Sequence, residues 1–301
     1  MMDYSRLHFK AAVDWIELEF QAGSTTNFHT VQRTLRRVLG LSGDENPFVE
    51  PMDAGAGGAA TTFRFRMHDP AKWQEVASAL NGLAEQHPFT RSPSVTAIEV
   101  AFDAFSRGAT REELAEQAAR FYKFCTMMVS DNRRIYRTGK EGVRGSIPIR
   151  FPALTRRLME GWQIGIGNRS DNRYQHIYFK TTDRGGVALP DAEHRARIEI
   201  TLRGAALPYQ TLEEWAVADF ARDFRESTSF RKMAPDLGPL LHWTLGQTSV
   251  QVGERRRRWR LAKDYSGYSG DRLYGKATKA DSKLNEKARD AFRQLTRRWR
   301  R

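Results

Sequence analysis

The sequence has very little cysteine and no long apolar segment. Cys125 is the only cysteine in 301 residues, which excludes an internal disulfide and a zinc site built from cysteines. Because it lies in an apolar helical stretch, we expect it to be buried. No run of eighteen apolar residues occurs, and the N-terminal residues lack the apolar core of a signal peptide. These absences predict a protein without a membrane span, in a reducing cytoplasm.

Basic residues are concentrated at the C-terminal end, which carries most of the net charge of +13. Residues 254–301 contain 17 Lys and Arg but only 6 Asp and Glu, so the rest of the chain carries a net charge of only +2. A concentrated basic segment is typical of proteins that bind a polyanion, and nucleic acid is the expected partner. A solvated basic helix with a disordered linker is the alternative.

Hydrophobic periodicity predicts an α+β fold with a mainly antiparallel sheet and helices on one of its faces. Helices are predicted at 28–39, from the N-cap Asp69 to Leu83, and from a capping box at Thr110 to Met128. Strands are predicted at 11–21, 61–67, 95–105, 133–137, 162–167, 173–180 and 195–203.

The pattern changes after residue 205, where helical spacing replaces strand alternation. One helix is predicted to run from Leu212 to Phe224, a second from Leu237 to Leu245, and a basic amphipathic helix from Asp281 to Arg301. We therefore divide the chain into a domain at 1–205 and a helical C-terminal region at 206–301.

Tyr178 lies in the predicted strand 173–180, on the face opposite Ile177 and Phe179. A tyrosine on the polar face of a strand is not placed to fill a core. A cation or metal nearby would favour the charged phenolate, which is a nucleophile.

The same alternation in other strands collects polar residues that could share a face with Tyr178, and Gly165 leaves room there. Carboxylates with one histidine suit a hard divalent cation such as Mg²⁺ or Mn²⁺, and Arg and Lys neutralise a phosphoryl group. A tyrosine beside them is suited to attacking a phosphodiester. The residues are Glu99, Asp103, His176, Tyr178, Lys180, Arg197, Glu199 and Arg203.

Plainer interpretations stay open at this point. The open face of an antiparallel sheet is often polar because water covers it. Glu99 with Arg197, or Glu199 with Arg203, could form ordinary cross-strand ion pairs, and Tyr178 could simply fill space on its strand.

Three segments occur in a fixed order, namely 97–103, from Gly167-Asn168-Arg169-Ser170-Asp171 through His176-Ile177-Tyr178-Phe179-Lys180, and 193–202. Together they resemble the replication initiation factor family, whose members are relatives of the HUH endonucleases. That family contains rolling-circle initiators of plasmids and phages and relaxases of some integrative conjugative elements. The resemblance covers about residues 95–205. It implies an HUH-like or ferredoxin-like fold for the catalytic domain.

The resemblance implies a role for each matched residue. Tyr178 would be the nucleophile that nicks a strand and becomes linked to a 5′-phosphate, and Glu99, Asp103 and Glu199 would hold Mg²⁺ or Mn²⁺. Lys180 and Arg197 match basic positions near the phosphate. His176 replaces the usual arginine, so its role is open, and no histidine–hydrophobic–histidine motif is present.

The implied function is that of a rolling-circle initiator, a site-specific single-strand endonuclease and strand transferase. Its partners would be origin duplex and single-stranded DNA, a host helicase and a polymerase, with a homodimer left open. A conjugative relaxase and a non-catalytic nucleic-acid-binding protein are the alternatives. Arginines bind phosphates and aromatic rings stack on bases. The predicted DNA-binding residues are Arg169, Arg197, Arg203, Arg255, Arg256, Arg257, Arg258, Trp259, Arg260, Arg297, Arg298 and Trp299.

Overall fold

The computed structural model describes residues 3–42, 46–55, 59–125, 132–137, 144–145, 147–148, 150–183, 186–233 and 278–301. The strands are β1 Leu7–Asn27, β2 Val49–Pro51, β3 Ala59–His68, β4 Ser94–Ser106, β5 Arg133–Arg137, β6 Arg144–Gly145, β7 Trp162–Ile166, β8 Arg173–Lys180, β9 Arg195–Arg203, β10 Arg231–Met233 and β11 Thr278–Ala280. The helices are α1 Phe28–Val38, α2 Trp73–Ala84, α3 Arg111–Phe124, α4 Phe151–Met159, α5 Leu212–Ala216, α6 Phe220–Asp223 and α7 Ser282–Trp299.

The fold is α+β, as the sequence predicts. A nine-stranded sheet has the order β2-β3-β1-β4-β9-β8-β7-β5-β6, and β10 and β11 form a separate antiparallel pair. The pairings β1–β3, β2–β3, β5–β6, β5–β7 and β7–β8 are antiparallel. The register aligns Arg134 with Gly165 and His176, and the next row on that face aligns Tyr136 with Gln163 and Tyr178.

The helix starts are set by local capping, and one of them differs from the prediction. The capping box at Thr110 is confirmed, since its side chain and that of Glu113 bond reciprocally to backbone N–H groups. Asp69 is not the N-cap of α2. It adopts a left-handed φ of 51°, and its N–H donates to the carbonyl of Asp14, so the helix begins only after Lys72.

The single helix predicted from Leu212 to Phe224 is wrong, because the chain breaks it into α5 and α6 at Val217. The guanidinium of Arg300 donates to the carbonyls of Val217 and Ala218 at this break. These two carbonyls are therefore satisfied without a continuous helix. The helix predicted at 237–245 lies outside the described residues.

The C-terminal helix α7 is confirmed, and so is its amphipathic pattern. All six apolar positions that the sequence places on one face are buried, namely Leu284, Ala288, Ala291, Phe292, Leu295 and Trp299. Cys125 is also buried, as expected. Among the helices of the described chain, none has the length and apolar character needed to cross a membrane.

The chain forms two compact units, each assembled from separated segments. One comprises Met1–Ala11, Ala101–Ile200 and Ala221–Phe292, and its core contains the packed rings of Phe102, Phe121 and Phe230. The other comprises Ala12–Val100, Thr201–Phe220 and Arg293–Arg301, with Phe20, Phe63 and Phe65 in contact at its core. The division at 205/206 stays a prediction.

Candidate functional site

Strand β8 presents its aromatic residues as the alternation predicts. The rings of His176 and Tyr178 stack with centroids 4.5 Å apart, and the ring of Tyr174 lies 6.2 Å from that of His176. Ile177 and Phe179, on either side of Tyr178 in sequence, are buried on the other face. Tyr178 itself is only half-buried.

The phenol of Tyr178 contacts the carboxylate of Glu199, which lies on β9. The hydroxyl donates to Oε1 of Glu199 over 2.5 Å, and the Arg197 guanidinium lies 3.3 Å from the same oxygen. A hydrogen bond this short to a carboxylate is charge-assisted, and it fixes the direction of the phenol. Tyr178, Glu199 and Arg197 therefore form one connected group.

Glu199 is ionised in this environment. Burial alone would raise the pKa of its carboxyl, but the hydrogen bond and charge of His176, the charge of Arg197 and the Tyr178 hydrogen bond together lower that pKa to about 2. An ionised carboxylate can only accept hydrogen bonds, so the proton shared with Tyr178 belongs to the phenol.

His176 bridges Glu199 and Gln163. Its Nδ1 lies 2.9 Å from Oε2 of Glu199, and its Nε2 lies 2.8 Å from Oε1 of Gln163. The sequence predicts His176 as a site residue but does not predict Gln163. Gln163 lies directly opposite Tyr178 in the β7–β8 register, and this pairing is the signal that could have identified Gln163.

Asp103 has a different environment from the metal ligand that the resemblance implies. Its carboxylate forms a bidentate ion pair with Arg197, at 2.7 and 2.8 Å, and Arg195 lies 3.6 Å away. Burial opposes the charge of Arg197, yet the pairing with Asp103 raises the pKa of that guanidinium well above its usual range. Asp103 therefore holds Arg197 in place, a function that the sequence did not predict.

Glu99 lies close to a second carboxylate, that of Asp14, which the sequence does not predict as a site residue. The nearest carboxylate oxygens of Asp14 and Glu99 lie within 4.8 Å of each other. Glu99 also accepts hydrogen bonds from the Trp15 indole at 2.7 Å and from the Thr201 hydroxyl at 2.5 Å. Carboxylate oxygens are the donors that suit a hard divalent cation, and the metal-ligand set stays a prediction.

The remaining predicted residues are less closely associated with Tyr178. Lys180 pairs with Asp183 at 3.3 Å, and Arg203 lies 3.6 Å from Glu17. Arg169 is exposed on the turn before β8, and Arg297 and Arg298 lie in the last turn of α7. The residues from Arg255 to Arg260, including Trp259, lie outside the described residues.

Trp299 corrects the prediction that its ring stacks on a base. The side chain is fully buried, its indole N–H donates to the carbonyl of Trp215 over 2.8 Å, and its ring packs on Trp73 and Phe220. Its spacing fitted both a basic DNA-binding tail and the apolar face of α7, and packing selects the second.

The fold and site define an α+β protein in which one tyrosine is bonded to a buried carboxylate beside an arginine. No family model and no curated protein matches the chain. One solved structure to which it is similar is a rolling circle replication initiator protein from Geobacillus stearothermophilus, at 15% identity and a TM-score of 0.32, covering 65% of this chain and 74% of that one. Another is an aspartate kinase from Clostridium acetobutylicum, at 10% identity and a TM-score of 0.21, covering 65% and 30%. At these scores neither likeness bears on the function or on the site residues.

Proposed function

We propose that this protein nicks and rejoins one strand of DNA in the manner of a rolling-circle replication initiator, with Tyr178 as the nucleophile. The observation that supports this most is the hydrogen bond of 2.5 Å from the Tyr178 phenol to the ionised Glu199, with Arg197 at the same carboxylate oxygen. A half-exposed phenol held by a buried carboxylate beside a guanidinium combines a nucleophile, a proton acceptor and a phosphate-binding cation.

The proposed reaction is a transesterification at phosphorus. The Tyr178 oxygen forms a bond to phosphorus while the bond from phosphorus to the 3′-oxygen breaks, and the 5′-phosphate becomes linked to the tyrosine. The phenol proton passes to Oε1 of Glu199, and the leaving 3′-oxygen takes up a proton from water. Attack by a 3′-hydroxyl on the phosphotyrosine reverses these steps and rejoins the strand.

The remaining groups position the reactants. Arg197 is fixed by Asp103, so its charge can stabilise the phosphate as negative charge develops on it. His176 fixes the second oxygen of Glu199. Glu99 and Glu199 would hold Mg²⁺ or Mn²⁺, as the resemblance implies, and the ion would polarise the phosphodiester as a Lewis acid.

The proposal also assigns roles to the two regions of the chain and to host proteins. The basic residues of the C-terminal region 206–301 would bind origin duplex, while domain 1–205 would nick and join the single strand. A host helicase and a polymerase would act on the nicked product. A mobile-element relaxase would use the same chemistry, whereas a binding protein without activity would use none of it.

The proposal is tested by incubating the protein with supercoiled plasmid that carries DNA flanking its own gene, with Mg²⁺ or Mn²⁺. We expect nicked plasmid and a covalent protein–DNA adduct from the wild type, and neither from Tyr178→Phe. Tyr4→Phe is the matched control, since it removes one buried hydroxyl that donates to the carboxylate of Asp281, away from strand β8 in the sequence. This control should nick as the wild type does.

Two results would contradict the proposal. Normal nicking by Tyr178→Phe would assign the nucleophile elsewhere, for example to a tyrosine outside the described residues. DNA binding without cleavage under either metal would favour the non-catalytic alternative. Loss of nicking in EDTA and its return with Mn²⁺ would support metal dependence.

A further inference from the structure

Two arginines near the site differ from the arginines of β3 and β9. Those five are paired with carboxylates at distances of 2.7 to 3.6 Å, and they are Arg64, Arg66, Arg195, Arg197 and Arg203. Arg134 on β5 and Arg169 on the turn before β8 form no salt bridge with a carboxylate of the described residues. Arg134 instead donates to the amide oxygen of Asn168 over 3.3 Å, so no described carboxylate neutralises either guanidinium.

Both guanidiniums lie against the same two tyrosines. Arg134 lies 6.0 Å from the ring centroids of both Tyr136 and Tyr174, and the proximity of these two phenols raises the pKa of the Arg169 guanidinium. The two hydroxyls are themselves 3.2 Å apart. The cluster thus offers two guanidiniums and two hydroxyls, the groups that bind phosphate oxygens in nucleic-acid complexes.

Gly165 permits this arrangement. A Cβ at this position would lie 3.0 Å from the Tyr174 hydroxyl and 3.3 Å from the Tyr136 ring, and 3.4 Å from Nε of Arg134. A side chain here would therefore crowd the two tyrosines, which would have to shift by a few tenths of an ångström, and would touch Arg134 at ordinary contact distance. The sequence predicts free space at Gly165, and the structure shows that the tyrosines and Arg134 occupy it.

We propose that Arg134, Arg169 and the hydroxyls of Tyr136 and Tyr174 form a second phosphate-binding site, which holds the single strand of DNA next to the phosphate that Tyr178 attacks. The site lies on the same face as Tyr178, and its ligand is a backbone phosphodiester of that strand. This inference rests on the proposed function, which supplies the strand.

The spacing fits a strand that extends from one site to the other. Tyr136 and Tyr178 face each other across β7, and the ring of His176 lies 5.9 Å from that of Tyr136 and 4.5 Å from that of Tyr178. Two strand spacings amount to about 10 Å, which roughly three nucleotides span at ~3.4 Å each. The same strand could thus contact both sites.

Binding of single-stranded DNA tests this site without the chemistry. Fluorescence anisotropy of a fluorescein-labelled 20-nucleotide oligothymidylate would be measured in EDTA over a range of salt concentrations. Arg134→Gln/Arg169→Gln would be compared with the wild type and with Arg137→Gln/Arg173→Gln. The control removes two exposed arginines, Arg137 on β5 and Arg173 on β8, whose side chains alternate to the face opposite Tyr136 and Tyr174.

We expect Arg134→Gln/Arg169→Gln to bind the oligonucleotide about tenfold more weakly, with the salt slope smaller by about 1.4, which corresponds to ~0.7 for each lost phosphate contact. The control should differ from the wild type by less than about twofold, because it removes charge without removing a phosphate contact. Equal losses in the two double variants, or an unchanged slope in the first, would overturn the assignment. An equal loss on a duplex probe would overturn its restriction to single strands.

The nicking assay keeps this result separate from the proposed function. If the wild type never nicks DNA but Arg134→Gln/Arg169→Gln loses single-strand binding, the phosphate-binding site is supported and the proposed nicking activity is contradicted. If the variant binds single strands normally and Tyr178-dependent nicking is intact, the phosphate-binding site is contradicted and the proposed nicking activity is supported. Unchanged thermal unfolding of the variant would show that the loss is not one of folding.

Discussion

Two groups of arginines on one sheet face differ in what neutralises them. Arg197 is buried and held by Asp103 and Glu199, whereas Arg134 and Arg169 contact phenols and no carboxylate of the described residues. A buried charge must be paired, because removing it from water costs several kcal/mol. A half-exposed or exposed guanidinium has no such requirement and can bind a ligand. The first kind of arginine therefore organises the site, and the second is suited to recognise what enters it.

The largest difference should appear when the buried pair is broken. We expect Arg197→Met to lower the free energy of unfolding by about 3 to 5 kcal/mol, because it leaves the carboxylate of Asp103 buried without its partner. Chemical denaturation at neutral pH measures this. The double variant Asp103→Leu/Arg197→Met should recover most of the loss, and a double variant as unstable as the single one would show that the pair is not what stabilises this region.

The next largest effect is the loss of folding stability at acidic pH. Since the pKa of Glu199 is lowered to about 2 in the folded protein, its ionised form stabilises the fold above about pH 4.5, and this stabilisation is lost as the pH falls towards 2. The stabilisation amounts to about 3 kcal/mol. Glu199→Gln should therefore be less stable than the wild type at pH 6, with the difference shrinking as the pH approaches 2.

Denaturant unfolding of both proteins across that pH range is the measurement. Other carboxylates titrate in both proteins, so only the difference between the two curves reports on Glu199. A difference that stays constant from pH 6 to pH 2 would show that His176, Arg197 and Tyr178 do not favour the charged form.

The smallest effect should come from the carboxylate-free arginines. We expect Arg134→Gln to change the free energy of unfolding by less than about 0.5 kcal/mol, because it removes no buried ion pair. A matched Arg197→Gln variant should lose several times as much. A loss of 2 kcal/mol or more in Arg134→Gln would make Arg134 structural and weaken the contrast with Arg197.

The sequence predicted the strands of the site and the face of Tyr178 better than the contacts between side chains on different strands. The bounds of β8 and β9 and the face of Tyr178 follow from a two-residue period, which depends only on local backbone geometry. The bond from Asp103 to Arg197 and the place of Asp14 beside Glu99 depend on which strands are neighbours. That order is set by distant segments, so alternation within one strand could not supply it.

The errors have the same origin. Trp299 satisfies both a helical apolar pattern and an aromatic–basic pattern, and only its packing against Trp73 and Phe220 distinguishes them. The break between α5 and α6 places carbonyls where Arg300, more than 80 residues later in the chain, donates to them. Contacts over such separations leave no local signal in the sequence.

The central claim is that the Tyr178 oxygen becomes bonded to DNA, and mapping the covalent adduct tests it most directly. The protein would be incubated with the supercoiled plasmid and Mn²⁺, digested with protease and nuclease, and analysed by mass spectrometry. We predict a nucleotide attached through a 5′-phosphate to the peptide that contains Tyr178, and no adduct in Tyr178→Phe. An adduct on any other residue, or nicking with no covalent intermediate, would contradict the account.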